Sequence, residues 1–474
     1  KTNNYLMAIN HDKGKFGLAF IDATTGEFKL SDFNSAEELN DEIKRIGPAE
    51  ILISDLFPEE PRRSVAGSAY KDIYDNDTAI EKLLEHFKVK SLESFGLEGK
   101  EVALGAAAAI LDYLKETQRT TLGHINGLKL YQTEDYMYVD AVTRRNLELT
   151  QTARDKSFRG CLLWVLDRTK TSMGSRLLRQ WLLQPLLDAK PINARLDAVE
   201  ELFGHALLRS ELGEGLKGVF DIERLAGKVA TQAANARDLV SLKESLRQLP
   251  KIADLLKNAE VKLLKEPRGL LSGSFNQELI DLISKAIVDE PPFVIKEGGL
   301  IKAGYNAELD ELKKATGGGK QWIAELEASE RKRTGIKSLK VGFTKVFGYF
   351  IEVTQSNLDQ VPPDYIRKQT LVNAERFITP ELKEKESLIL NAEERMKEYQ
   401  LLCEVRSKVA AFTKQLQTVA AAIAQTDVLL SLAEVAVESR YCRPKLRITN
   451  SECRIKEGRH PVVEKTLGEF QFVP

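Results

Sequence analysis

The residues in this chain best suited to chemistry are cations. Between Arg331 and Arg376 there are nine basic residues (Arg331, Lys332, Arg333, Lys337, Lys340, Lys345, Arg367, Lys368 and Arg376) and four acids (Glu352, Asp359, Asp364 and Glu375), a local excess of +5 where the whole chain carries −1. Thr344, Lys345 and Asn373 lie with glycines among these bases, on segments that read as short β-turns. On such turns, cations, small polar side chains and backbone N–H groups can reach phosphates and fix register without reading bases. Sequence-independent contact with a duplex backbone suits this arrangement, and a plain solvated surface is the alternative that charge alone leaves open.

Other constellations are weaker. Gly317-Gly318-Gly319-Lys320 resembles a phosphate loop only superficially, with Gln321 where Ser or Thr is needed and a helix where a strand should precede it. A helix break is expected there. A nuclease built on a strand-led α/β sheet would need an acid on the first strand and clustered carboxylates for two Mg²⁺ ions. Here that strand runs Tyr5-Leu6-Met7-Ala8-Ile9-Asn10, and Asp22 and Asp55 sit where turns use aspartate. The five histidines are dispersed, with no HxxxH or Ser/His/Asp arrangement, so no catalytic or metal site is predicted.

The elements that must position the cations fall into distinct zones. Over residues 1–118, Tyr5–Asn10, Gly17–Asp22 and Glu27–Asp32 alternate as strands, with turns at Gly14 and Ala23-Thr24-Thr25-Gly26. Ser35 and Glu38 form a capping-box pattern for a helix ending at Gly47-Pro48, and Glu50–Ser54 reads as a further strand. This order resembles an RNase H-like sheet. Residues 119–319 become almost wholly helical, as in Ser172–Leu183 and Ala236–Leu249, whose leucines keep 3–4 spacing.

Thr379 then reads as an N-cap and Pro380 as a first helical residue, with no proline or glycine before Pro444. Leu382, Ile389, Met396 and Cys403 recur every seven residues, so one helix from Thr379 to about Glu438 is expected, roughly 90 Å long. Its natural partner is Tyr305–Arg333. Between them Ser338–Thr344, Gly348–Thr354 and Tyr365–Val372 alternate as three strands. The expected fold is therefore multidomain α+β: an α/β domain, a large helical domain, and long antiparallel helical arms carrying a small β-rich tip.

Bulk properties agree. The 474 residues are enough for three or four domains, and 43% apolar residues can fill several cores. Cys161, Cys403, Cys442 and Cys453 lack CxxC spacing, which points to buried thiols in a reducing, cytoplasmic setting. No apolar run approaches the ~20 residues of a membrane span, and the start at Lys1 reads as an internal boundary.

Longer strings carry a family resemblance. Asp140 to Leu149 (DAVTRRNLEL), Thr171 to Leu178 (TSMGSRLL) with Trp181-Leu182, Leu339 to Phe343, Gly348-Tyr349, Arg367 to Leu371, Asn373 to Arg376 and Gly458 to Val462 (GRHPV) are similar to the MutS family of DNA mismatch-repair proteins, in order and over essentially the whole chain. The resemblance implies a connector (1–118), a core/lever domain (119–319 and 379–452), a clamp (320–378) and the beginning of an ATPase domain (453–474). It implies Thr344, Lys345, Arg367, Lys368 and Asn373 as backbone contacts to double-stranded DNA, and Phe472 as an adenine-stacking residue of an incomplete nucleotide site. In this family the Phe-x-Glu mismatch wedge belongs to a domain N-terminal to the connector and the Walker A loop is expected beyond Pro474, so no cofactor is expected in this chain, and ATP and Mg²⁺ belong to the parent protein. The resemblance also implies a homodimeric parent and a MutL-like partner for the connector, with no membrane. An interaction-only module and an RNase H-like nuclease are the competing readings.

Overall fold

The computed structural model describes residues 3–53, 68–70, 74–293, 298–344, 348–383, 392–446 and 453–467, with short interruptions at 90, 93–94, 96, 98, 119–121, 124 and 132–134. Lys345, Asp55 and Phe472 lie outside the described residues. The chain divides into two units, residues 1–282 with 406–474, and residues 283–405.

The first unit begins with the predicted meander: β1 (Tyr5–Asp12), β2 (Lys15–Asp22) and β3 (Glu27–Phe33), antiparallel throughout. Helix α1 (Ala36–Ile46) follows, where Ser35 Oγ accepts from the Glu38 N–H at 3.1 Å and Gly47 closes the helix at φ +62°. β4 (Glu50–Ile53) returns parallel to β1, with β5 (Ser68–Tyr70) beside it. Helices α2 (Asn76–Phe87) and α3 (Glu101–Gln118) precede β6 (Lys129–Leu130), which pairs with β3. The six strands run β5-β4-β1-β2-β3-β6. Period-two alternation sends Met7, Ile9, Leu18 and Phe20 to the α1 side and Leu6, Ala8, Ala19 and Ile21 to the α2–α3 side, giving a core on each face.

Helices follow: α4 (Ala141–Asn146), α5 (Leu162–Leu166), α6 (Ser172–Leu183), α7 (Ala189–Gly204), α8 (Ala206–Lys217), α9 (Ile222–Ala230), α10 (Ala236–Leu255), α11 (Lys262–Leu271) and α12 (Ser274–Ala286). α6 has the predicted bounds. α10 runs past the predicted end at Leu249, through Pro250. A buried stripe explains this: Leu239, Leu242, Leu246, Leu249 and Ile252 are fully buried, and their packing outweighs the ~3 kcal/mol cost of an internal proline. Asn235 and Asp238 supply a complete capping box.

The second unit contains α13 (Ala307–Thr334), β7 (Lys340–Thr344), β8 (Gly348–Thr354), β9 (Ile366–Thr370), β10 (Ala374–Ile378) and the first part of α14 (Ala392–Ala410). Two expectations fail here. α13 continues through Gly317-Gly318-Gly319 without a break. Three glycines cost about 1 kcal/mol each relative to alanine, too little to interrupt a helix capped by Asn306 and closed by Gly335. The tip sheet has four strands, not three, in the order β7-β8-β10-β9.

The single helix expected from Thr379 to Glu438 is also corrected. The Thr379 cap is present, its Oγ1 accepting from the Leu382 N–H at 3.1 Å. However, α14 ends in a turn at Ala411-Phe412, and α15 (Thr413–Glu438) starts afresh. The heptad residues do not form one seam, since Leu382 is buried and Met396 is 69% exposed. Within the second unit two ion pairs, Lys313–Glu398 (2.7 Å) and Lys397 with Glu308, join α13 to α14. α15 is, against expectation, long and apolar enough to cross a bilayer, yet it is mostly buried among α6, α7, α9 and α11 as a core helix. Of the four cysteines only Cys161 is fully buried, and Cys442 and Cys453 are exposed.

Candidate nucleic-acid interface

The tip sheet has one apolar and one polar face. Val341, Ile351, Val353 and Phe377 pack with Leu326, Ile336, Leu339, Tyr365 and Leu382. On the opposite face Lys340 lies across from Glu352, and Glu352 across from Arg376. Arg376 is held there by Glu352 Oε2 and Gln369 Oε1, both at 2.9 Å, with its guanidinium 4.1 Å from the Phe350 ring centroid. Phe350 reaches this position because Gly342 has no side chain: a Cβ there would fall 2.8 Å from the ring. Gly342→Val is therefore expected to displace Phe350 and Arg376 together and to cost about 1–3 kcal/mol, measured as a lower urea midpoint with an intact helical signal. A midpoint equal to wild type would contradict this packing.

The basic cluster sorts by residue type. Each of its four arginines is engaged by acid: Arg331 by Glu327 (2.7 Å), Arg333 by Glu330 (2.8 Å) and Asp364 (3.0 Å), Arg367 by Glu375 (3.2 Å), and Arg376 by Glu352. Hydrogen bonds donated by Arg333 to Glu330 and Asp364 hold its pKa above the ordinary value, and Arg333 in turn holds Asp364 below its own. Tyr365 donates to Glu330 at 2.6 Å, and burial followed by that carboxylate pushes the phenol up. Glu327 and Glu330 lie just outside the window that gave +5, and counting them reduces the excess to +3 (5 − 2).

The lysines behave differently. Lys332, Lys337, Lys340 and Lys368 are exposed, and among the described residues none makes an ion pair. They are the cations available to a phosphate. Sequence reasoning counted all four but singled out only Lys368. Glu327–Arg331 at i,i+4 and Glu330–Arg333 at i,i+3 are spacings that could have marked two of the arginines as occupied.

The four predicted contact residues that are described, Thr344, Arg367, Lys368 and Asn373, do not share one turn. Thr344 ends β7 opposite Gly348, at one end of the hairpin. Arg367 and Lys368 lie on the far edge strand β9, and Asn373 is in the β9–β10 turn, its carbonyl accepting from the Gln355 N–H at 3.1 Å. Ala374 pairs with Thr354, so Asn373 sits about 20 Å from Thr344 along the seven residues of β8.

The residues weighed for nuclease chemistry have structural roles. Asn10 donates to the Val102 carbonyl at 3.0 Å, tying β1 to α3. Asp22 is fully buried, and its carboxylate accepts from Thr24 N and Oγ1 and from Asn4 N, holding the β2–β3 turn.

Comparison with known proteins supplies the family. A family model for MutS domain II matches residues 4–126, and one for MutS domain III matches residues 142–433. The chain is similar to DNA mismatch repair protein MutS of Acetivibrio thermocellus (47% identical over 491 residues) and of Symbiobacterium thermophilum (48% over 487). It is also similar to that of Methanosarcina barkeri (46% over 500). Each alignment takes in 100% of this chain and 55% of the relative, so the chain spans about half the length of the curated relatives it matches. Two domain matches in order, the second covering more than half of the residues, assign this chain to the MutS family.

Proposed function

We propose that this chain is the DNA-clamping and lever scaffold of a mismatch-repair ATPase. On this reading residues 1–118 are an RNase H-like connector that docks a MutL-like partner. Residues 119–319 and 379–452 are the core and lever, 320–378 the clamp, and 453–474 lead into an ATPase domain where Phe472 would stack on adenine. ATP, Mg²⁺, mismatch reading, a homodimeric assembly and a cytoplasmic location belong to the parent protein. The observation that carries the clamp reading is the set of four exposed lysines, on and beside the four-stranded sheet, that make no ion pair among the described residues. Such cations contact phosphates, and contacts of that kind do not read bases, so binding through them should ignore mismatches.

The test is duplex affinity against salt. Lys340→Glu combined with Lys368→Glu is expected to weaken binding of matched and mismatched duplex equally, by roughly tenfold or more, and to lower the log–log salt slope by about 0.9 per lost contact. Helical content should be unchanged, because both side chains are exposed. Undiminished binding by the double variant at low salt would remove the clamp reading and leave an interaction-only module.

A further inference from the structure

A second group of cations, several of them without a carboxylate partner among the described residues, lies within the first unit. A cavity of about 1010 Å³ opens between the six-stranded sheet and helices α6, α7 and α15. Three of the cations lining it are neutralised locally: Lys29 by Glu27, Arg45 by Glu42, and Arg176 by Asp221 and Glu223. Arg179 and Arg195 are not. Both are half-buried, and among the described residues neither meets a carboxylate. Arg179 reaches only Thr150 Oγ1, at 3.5 Å, and Arg195 lies 3.5 Å above the Trp181 ring centroid. Exposed Lys44 and Lys129 stand at the rim, the latter also acting on Glu27.

A half-buried guanidinium without a counter-ion is costly, and burial does depress both arginines below their usual pKa. A bound anion would remove that cost. Guanidinium forks match phosphate oxygens in pairs, and Arg179, Arg195 and Lys44, joined by a Lys129 shared with Glu27, call for a ligand bearing several negative charges. The cavity is at the upper end of small-ligand sites, roomier than one carboxylate or orthophosphate requires.

We propose that this cavity binds a small oligophosphate anion, held by Arg179 and Arg195 with Lys44 and Lys129 at the entrance. The site is independent of the clamp lysines, so the two readings can fail separately.

The experiment titrates the full chain with inorganic tripolyphosphate at low salt. Trp181 fluorescence reports occupancy, with sulfate at matched ionic strength as control. Saturable binding with a Kd below about 100 µM is expected. Arg179→Gln with Arg195→Gln should weaken it at least tenfold, and Lys340→Glu with Lys368→Glu should leave it unchanged. Should the arginine pair fail to fold, the exposed pair Lys44→Gln with Lys129→Gln is expected to weaken binding several-fold at unaltered Tm. ATP without metal tells the sources apart: equal affinity means that only the phosphate chain is read, and stronger binding than tripolyphosphate overturns the inorganic assignment. No saturation below millimolar tripolyphosphate, equal binding by whichever pair of variants folds, or loss of binding with the clamp variant would overturn the proposal.

Discussion

Asp427→Ala is expected to destabilise the helical unit by about 3 kcal/mol at pH 7. Asp427 is a fully buried carboxylate in the middle of the apolar helix α15. It accepts from the Lys170 N–H (2.8 Å), the Thr171 N–H (2.8 Å) and Thr171 Oγ1 (2.7 Å). Thr171 Oγ1 accepts in turn from the Gly174 N–H at 3.0 Å, so one carboxylate anchors the N-terminus of α6. The same face of α15 continues the attachment: Ser431 Oγ accepts from the Arg168 N–H and donates to the Leu166 carbonyl, and Glu434 pairs with Lys170 Nζ at 2.7 Å. Truncation to alanine orphans two buried backbone donors, at about 1–3 kcal/mol each. The approach of α6 to this carboxylate is close, since a Cβ on Gly174 would lie 2.2 Å from Asp427 Oδ2.

The pH dependence has a definite sign. Burial raises the Asp427 carboxyl to about 6, more than the hydrogen bonds from Lys170 and Thr171 lower it. The folded state therefore holds this proton more tightly than the unfolded chain, whose pKa is ~3.9. The wild type loses stability from this group as pH rises from about 4 to about 6, by about 3 kcal/mol in all. Alanine does not titrate, so the gap between the two proteins should be widest near pH 4 and narrow towards pH 7. Urea midpoints at pH 4.5 and 7.5 measure it, and a gap that widens with pH would contradict this account.

Features set by local pattern were legible in the sequence, and those set by distant contacts were not. Alternation located β1 to β3 within about two residues, and the α6 stripe of Met173, Leu177, Leu178 and Trp181 fixed that helix. β10 escaped because its five residues include Glu375 and Arg376 and its pairing with β9 shifts register at Arg376/Phe377. The turn at Ala411-Phe412 carries no glycine or proline, and Phe412 there stacks on Phe275 (6.2 Å, 13°), a contact from 137 residues earlier. In the candidate interface the positive charge was visible, but its sorting into paired arginines and free lysines needed cross-strand partners such as Glu352 and Gln369 for Arg376. Asp427 carries no local signal in the sequence, because its partners Lys170 and Thr171 lie more than 250 positions away.

Arg176→Met should be comparably severe and should respond to pH in the opposite direction. Arg176 belongs to the same family string as Thr171 and Gly174, is 7% exposed, and forms a two-point bond with Asp221 at 2.6 and 2.8 Å plus a contact with Glu223 at 2.5 Å. Asp221 also caps α9 through the Arg224 N–H. Burial works to raise Asp221, but Arg176 outweighs it and the carboxyl sits below its ordinary value. Glu223, facing Glu27 as well, remains above its own because burial prevails. Methionine keeps the apolar stem but leaves two half-buried carboxyls facing each other, a loss of about 3 kcal/mol near pH 8, the low end for a broken buried pair. In the wild type Asp221 adds stability above its unfolded pKa of ~3.9, and that stability is lost as pH falls through its lower folded value. In the variant both carboxyls are raised by burial and by one another, so acidification stabilises it. The Arg176→Met gap should therefore shrink on going from pH 8 to pH 4.5, where the Asp427→Ala gap grows. Adding Asp221→Asn and Glu223→Gln to Arg176→Met should recover much of the loss at pH 8, since neutral amides do not repel. A pH-independent loss that these amides fail to relieve would mean that Arg176 acts through packing alone.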